Sequence, residues 1–285
     1  MKSKEEIIDI EDFELEIKQL AQISNPIDSN FQAMVFDYMN KISGKFGKNP
    51  ITDSRSDIKF RIHSIMYFAK LFWHEEQSLL TFLNQESQMD TSQKMILSDS
   101  LVLNQKAIFD SILYHLGSIY DYYASMVGYI YNNTSLKWNG LVSSARNESN
   151  SKIGEAQKMF IIKSHIEFVD SVFKHRSDLI HNSTSQPGFS YTHNLIPNIY
   201  SIKIITPYKF VNEFKTLKGK IGDKQISLKA SLMWMLKYGF TNINKLLYGM
   251  KDELESLRKR EKRRAIITDI RYPEGEASEA YWIKD

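Results

Sequence analysis

The sequence predicts a mainly α-helical fold with a small β-hairpin insertion near residues 189–226. Over most of the chain, apolar residues recur at intervals of three and four, which is the period of an amphipathic helix. Only 12 glycines and 6 prolines occur among 285 residues, so few positions interrupt those helices. The interval 189–226 is instead rich in β-branched and aromatic residues, which favour strands.

Two helices are predicted at the N-terminal end. In residues 4–23 the outer apolar positions have helical spacing, although the middle of the segment alternates as a strand would. The many Glu and Lys residues there favour the helix. Pro26 is predicted to end it, because proline disrupts a helix interior. A second helix is predicted over residues 28–45.

The body of the fold is predicted to consist of longer helices. Residues 56–85 and 92–131 carry apolar side chains at helical period and are expected to face a core. A connecting segment follows. Another helix is predicted from Gly154 into the stretch 173–182, which reads Phe-Lys-His-Arg-Ser-Asp-Leu-Ile-His-Asn.

The predicted strand pair combines two segments. Residues 199–206 read Ile-Tyr-Ser-Ile-Lys-Ile-Ile-Thr, and residues 220–226 are predicted to accompany them. A last helix is predicted over residues 227–264. It carries a narrow seam with 3-4-3-4-3 spacing, which either faces the core or forms a dimer contact. The seam consists of Phe240, Ile243, Leu247, Met250, Leu254 and Leu257.

We therefore predict an N-terminal helical extension over residues 1–50, a helical domain with its β insertion over residues 51–265, and a mobile acidic tail over residues 266–285. Cysteine is absent, which excludes disulfides, thiolate metal sites and a cysteine nucleophile. We expect a cytoplasmic protein with no membrane partner, because the N-terminal residues lack the apolar run of a signal peptide and no apolar stretch reaches about 18 residues.

The charge is uneven along the chain. The net charge is +3, yet residues 258–264 alone contain six basic residues and one acidic residue. Their cations are candidate contacts for RNA phosphates, or simply a solvated helix end. These candidates are Arg258, Lys259, Arg260, Arg263 and Arg264. The sequence has no glycine-rich phosphate loop and no metal-ligand cluster, so neither a cofactor nor a metal is expected.

Arg176 and His181 are the strongest candidates for chemistry. They lie five residues apart at the end of a long apolar helix, inside a polar cluster. Arginine is a permanent cation that grips phosphate through a planar fork, and histidine transfers protons near neutral pH. The alternative is structural, because both side chains favourably meet the carbonyl end of a helix.

The segment Arg176-Ser-Asp-Leu-Ile-His181 resembles the Arg-x(4–6)-His motif of the HEPN superfamily, helical proteins that include toxin and antiviral ribonucleases. The resemblance implies a homodimer whose two motifs line one cleft and cleave RNA without metal. It implies that His181 transfers the proton of the ribose 2′-hydroxyl and that Arg176 holds the phosphate. Ser177 or Asp178 would orient the imidazole or the strand, and His175 and Asn182 would contact RNA.

The resemblance thus implies a metal-independent endoribonuclease that leaves a 2′,3′-cyclic phosphate. Its setting would be bacterial toxin–antitoxin or antiphage defence, with an antitoxin or regulatory protein as a further partner. The alternative function is a catalytically inactive helical dimer that binds RNA or a protein. Residues i and i+5 lie about 140° apart on a helix, so a shared site requires long side chains, an opened last turn or two protomers.

Overall fold

The fold is mainly helical with a small β-hairpin, as predicted. The computed structural model describes residues 7–42, 50–85, 89–132, 134–147, 153–181, 189–196, 199–261, 263–266 and 281–284. None of the helices in these ranges is long and apolar enough to cross a membrane.

Helices dominate the order of elements. The first part of the chain contains β1 (Ile7–Ile8), α1 (Phe13–Ile42), α2 (Pro50–Gln85), α3 (Thr91–Asn132), α4 (Trp138–Arg146), α5 (Glu155–Ser164), a π-helical turn (His165–Val169) and α6 (Asp170–His181). The second part contains β2 (Ser190–Ile196), β3 (Ile199–Ile205), α7 (Tyr208–Glu213), α8 (Lys215–Ile221), β4 (Gln225–Ile226), α9 (Leu228–Glu261), β5 (Arg263–Ile266) and β6 (Tyr281–Lys284).

The chain forms two compact units. The first combines Met1–Gln22, Ile62–Gly117 and Ile166–Gly239, and the second combines Ile23–Arg61, Ser118–His165 and Phe240–Asp285. The candidate segment on α6 and the β2–β3 hairpin both belong to the first unit. The predicted division of the chain at residues 50 and 265 stays a prediction.

Side-chain caps begin several helices. The Asp12 carboxylate accepts a hydrogen bond from the Leu15 amide at 2.8 Å, at the start of α1. At the start of α3, Asp90 and Gln93 form a reciprocal capping box, because each side chain accepts the other's backbone N–H. The Ser227 hydroxyl accepts the Ala230 amide at 3.1 Å and so caps α9. Polar residues therefore fix where these three helices begin.

The predicted break at Pro26 is wrong, because α1 continues through it. A proline inside a helix removes one backbone donor and crowds the preceding turn. Near this proline, Asn244 of α9 donates to the carbonyl of Ile23 at 3.0 Å and accepts a hydrogen bond from Asn30 at 3.1 Å, so it fastens this part of α1 to α9. The second half of α1 also buries Phe31 and its apolar neighbours in the second unit. Packing thus outweighs the local preference to end the helix.

Replacing Asn244 with alanine should destabilise the second unit. The Ile23 carbonyl and the Asn30 amide would lose their partner, and an unsatisfied buried polar group costs about 1–3 kcal/mol. We expect a lower melting temperature for Asn244→Ala by calorimetry. The exposed neighbour Lys245 provides the control, since Lys245→Ala removes no such contact. Equal melting temperatures for the two variants would show that these two hydrogen bonds contribute nothing to stability.

The strand partners differ in part from the prediction. Residues 199–205 do form a strand, but β3 pairs antiparallel with β2, from Ser190 opposite Ile205 to Ile196 opposite Ile199. Most of residues 220–226 are not strand. β4 pairs in parallel with β1, and its Ile226 carbonyl also accepts the Thr206 amide at 3.0 Å, the part of the predicted pairing that is confirmed. Residues 7–8 were predicted to begin a helix, and that prediction is wrong, because they form β1 and pair with β4. Parallel pairing of two such short segments depends on distant residues and has no local signal.

Burial in β3 alternates with the period of a strand. Tyr200, Ile202 and Ile204 are buried, whereas Ser201 and Lys203 are exposed. Asn84 on α2 accepts the Tyr200 amide at 2.7 Å, and the Tyr200 hydroxyl hydrogen-bonds Ser98 on α3 at 2.6 Å. The inserted hairpin is therefore fastened to the helices of the first unit.

The apolar seam of α9 faces the core. Its residues from Phe240 to Leu254 are all buried, whereas the side chain of Leu257 lies outside the described side chains. The core interpretation of the seam is confirmed for these five residues, and the dimer interpretation is wrong for them. Residues 138–146, predicted as a connection, form α4 because Trp138, Leu141, Val142 and Ala145 give it a buried apolar face.

The predicted mobile tail contains a strand. β6 pairs antiparallel with β5, from Arg263 opposite Lys284 to Ile266 opposite Tyr281. The residues between these strands lie outside the described residues. Residues 281–284 contain the strand-favouring run Tyr-Trp-Ile, and the predicted mobility of residues 266–285 stays a prediction.

Candidate functional site

The candidate site is built on α6, which follows a π-helical turn. That turn buries Phe168 and Val169, and Phe168 contacts Phe214 and Tyr238 at ring distances of 5.5 and 4.9 Å. Gly239 permits this packing, because a β-carbon there would lie 3.3 Å from the Phe168 ring. The buried aromatic cluster therefore anchors the start of α6, from which the polar residues follow.

Arg176 is half-buried and packs against α3. Its guanidinium carbon lies 4.6 Å from the centre of the Tyr114 ring and 5.8 Å from that of Phe173. Gly117 allows this approach, since a β-carbon there would be 3.3 Å from the Arg176 Cδ atom. A guanidinium over an aromatic face is stabilised by the ring quadrupole. Arg176 is thus held in one orientation and keeps part of its surface open.

His175 turns toward a different set of residues. Its Nδ1 atom lies 3.7 Å from Glu213 Oε2, and its ring meets Phe210 edge-on at 5.0 Å and Phe109 at 6.4 Å. The side chain is 16% exposed. The predicted contact between His175 and RNA stays a prediction, and the visible contacts of this residue lie within the first unit.

Asp178 and Ser177 differ in their surroundings. The Asp178 carboxylate forms an ion pair with Lys209 of α7 at 3.1 Å, whereas Ser177 is exposed. Asp178 thus links α6 to α7. The roles predicted for both residues, in orienting an imidazole or an RNA strand, stay predictions.

His181 ends α6, and the helix is regular between it and Arg176. The last turn is therefore not opened, and the two residues start about 140° apart around the helix axis. The side chain of His181 lies outside the described side chains, and Asn182 lies outside the described residues. One helix alone does not place the two residues on one face.

The basic run ends α9 and enters β5. Arg258, Lys259 and Arg260 belong to the helix, and Arg263 and Arg264 belong to the strand. Their side chains lie outside the described side chains. Contact between these cations and RNA stays a prediction.

An acidic pair near His175 was missed by the sequence analysis. Asp110 on α3 accepts a hydrogen bond from Lys106 at 2.7 Å, while its other oxygen is buried without a hydrogen bond. Glu213 Oε2 is also buried without one. Burial raises the pKa of the Asp110 carboxyl above its ordinary value, against the opposing effects of Lys106 and His175. Asp110, His175 and Glu213 lie on three different helices, α3, α6 and α7. No local sequence pattern predicts that both acidic residues lie near His175, so only the fold shows it.

Asp110→Asn should stabilise the protein at neutral pH. Because the pKa of Asp110 is raised in the folded state, its ionised form opposes folding once the pH exceeds that pKa. The amide removes this cost and keeps an oxygen for Lys106. We expect a higher melting temperature than wild type at pH 7, and a difference that shrinks as the pH falls through the folded-state pKa.

Asp223→Asn serves as the control of opposite sign. A hydrogen bond from Lys218 lowers the pKa of the exposed Asp223, so its amide variant should lose a little stability at neutral pH. An Asp110→Asn variant that melts at or below the wild-type temperature at pH 7 would contradict the argument from burial.

Among the residues that the structure describes, no group of three His, Asp or Glu side chains is arranged to hold a metal ion.

No family model matches the sequence, and no curated protein or solved structure matches it significantly. The resemblance to HEPN proteins therefore depends on the segment from Arg176 to His181 and on its helical setting.

Proposed function

We propose that this protein is a metal-independent endoribonuclease of the HEPN kind. The observation that carries the proposal is the setting of Arg176. Its guanidinium is held over the Tyr114 ring at 4.6 Å, half-buried, on the helix that His181 ends. A guanidinium held in place over a ring suits a phosphate, because its planar fork can donate two parallel hydrogen bonds.

The proposed reaction uses two proton transfers and no metal. His181 removes the proton of a ribose 2′-hydroxyl, and the 2′-oxygen attacks the adjacent phosphorus. The bond to the 5′-oxygen breaks, and that oxygen takes a proton from a second, protonated His181. The products are a 2′,3′-cyclic phosphate and a 5′-hydroxyl. Arg176 stabilises the negative charge that grows on the phosphate oxygens.

The second histidine would come from a second copy of the chain. Arg176 and His181 start about 140° apart on a regular helix, so within one copy the two positions do not share a helix face. A homodimer that apposes two α6 helices would bring together two arginines and two histidines. Bacterial defence is the setting we propose, with an antitoxin or another regulatory protein as a partner that holds the nuclease inactive.

A second candidate function is a catalytically inactive module that binds RNA or a protein partner. The internal contacts of the polar cluster favour it, since Asp178 pairs with Lys209 and His175 lies beside Glu213. In that case the same cations bind without transferring protons. For such a module we expect RNA binding that weakens as the salt concentration rises, and no cleavage of the RNA.

The proposal is tested by incubating the protein with total tRNA and a structured RNA in EDTA. The matched control is an Arg176→Ala/His181→Ala double variant, and a DNA of the same sequence as the structured RNA is a second control. We expect discrete fragments from RNA with the wild-type protein only, because DNA lacks the attacking hydroxyl. Intact RNA in every reaction would contradict a nuclease that is active alone and would favour the binding module.

A further inference from the structure

A strip of aromatic side chains leads to Arg176 across two helices of the first unit. Tyr67 and Phe68 are neighbours on α2, and Tyr114 and His115 are neighbours on α3. The rings of Tyr67 and Phe68 meet edge-on at 5.6 Å, and Phe68 stacks on His115 at 5.7 Å with an angle of 25° between the planes. His115 meets Tyr114 at 5.9 Å, and Tyr114 carries the guanidinium of Arg176. We call Tyr67, Phe68, His115 and Tyr114 the aromatic strip.

The two ends of the strip are open to solvent. Tyr67 is 58% exposed and Tyr114 is 41% exposed, although both are large aromatic side chains. The rings between them are partly covered. What sets these rings apart from other exposed aromatic residues is that Phe68 and His115 connect them into one continuous aromatic surface that ends at Arg176.

We propose that the aromatic strip binds the unpaired bases of single-stranded RNA while Arg176 binds its phosphate. The proposal rests on the proposed function for the choice of RNA. The chemistry of the surface supports this occupant. Binding sites for single strands combine aromatic rings, on which bases stack, with cations that follow the backbone. Here both exposed rings carry hydroxyls, and one of them, Tyr114, adjoins the guanidinium of Arg176, so the surface offers stacking and charge together.

The strip also distinguishes a single strand from a duplex. Bases inside a duplex are stacked on each other, and their faces are not open to a tyrosine. Stacking tolerates any base, because every base has an aromatic face. The strip therefore predicts a preference for unpaired segments with little dependence on their sequence.

The test measures binding of a fluorescent single-stranded RNA by anisotropy. The full-length His181→Ala variant is used so that the probe is not cleaved, and Tyr67→Ala is added to it. Tyr67→Ala removes a ring on which a base can stack, so we expect it to lower the affinity by roughly 5- to 150-fold. Tyr67→Phe keeps the ring and should bind within about twofold of the parent. Phe82→Ala removes an exposed aromatic side chain 15 residues further along α2 and should leave the affinity unchanged.

Salt dependence separates the two parts of the surface. Tyr67→Ala should keep the slope of log affinity against log salt concentration, because it removes no charge. Arg176→Ala should reduce that slope by about 0.7, the value for one phosphate contact on a single strand. A ribose-phosphate strand without bases serves as a second probe. It should bind weakly, and its affinity should be the same for Tyr67→Ala and for its parent.

Three results would overturn the proposal. They are equal affinity of Tyr67→Ala and its parent for the single strand, equal binding of duplex and single strand, and no binding of the single strand at all.

The binding result can be told apart from the result of the nuclease assay. Tyr67-dependent binding without cleavage by the wild-type protein would remove the nuclease and keep the strip. Cleavage that Tyr67→Ala leaves unchanged, with unchanged binding, would remove the strip and keep the nuclease.

Discussion

Replacing His181 with alanine is expected to lower the rate of RNA cleavage by roughly 10²–10⁴-fold, the usual contribution of general acid–base catalysis. The proposed reaction uses the imidazole of His181 as its proton-transferring group, one from each copy. Because His181 is the last residue of α6, alanine preserves the helix and should leave the melting temperature near that of wild type.

The control for this variant is His63→Ala, which removes an exposed histidine on α2. We expect it to cleave at the wild-type rate. Initial rates on one defined RNA in EDTA provide the comparison. A folded His181→Ala variant that cleaves as fast as His63→Ala would remove His181 from the mechanism.

Replacing Arg176 with alanine is expected to lower the cleavage rate by roughly 10²–10³-fold, as when a donor to a developing negative charge is lost. Arg176→Lys is the informative companion. Lysine keeps the charge but lacks the planar fork that stacks over Tyr114, so we expect it to recover only part of the activity. Melting temperatures accompany the rates, because Arg176 also fills space beside Gly117. Full activity of Arg176→Lys would show that charge alone suffices.

Mixing the wild-type protein with an excess of His181→Ala tests the shared cleft. Because the proposed reaction uses one His181 from each copy, a mixed dimer lacks one of the two proton-transferring groups. After the subunits have exchanged, the activity should fall well below that of the same amount of wild-type protein alone. Unchanged activity would contradict a site built from two copies.

Local patterns predicted the helices well and their interruptions poorly. Apolar spacing identified the long helices and the buried seam of α9, because these properties depend on neighbours three and four residues away. The passage of α1 through Pro26 depends on packing within the second unit, where α1 also bonds to Asn244, 221 residues from its partner Ile23. The pairing of β1 with β4 depends on an equally remote contact. No sequence window contains that information.

The candidate site shows the same limit. The sequence identified Arg176 from its neighbours on α6, but the ring that holds it belongs to α3. Glu213 and Asp110 are far from His175 in sequence and were missed for that reason. The aromatic strip joins pairs of residues on two helices through a single stacked contact between Phe68 and His115. Such sites become visible only when the fold places distant residues together.

The chemical nature of the new RNA ends tests the proposed reaction most directly. Fragments produced by the wild-type protein in EDTA can be analysed by mass spectrometry, which separates a 2′,3′-cyclic phosphate from a linear phosphate and from a 3′-hydroxyl. The mechanism predicts a cyclic phosphate on each upstream fragment and a 5′-hydroxyl on each downstream fragment, both missing with His181→Ala. A 3′-hydroxyl paired with a 5′-phosphate would contradict it, because those ends do not arise from attack by the neighbouring 2′-oxygen.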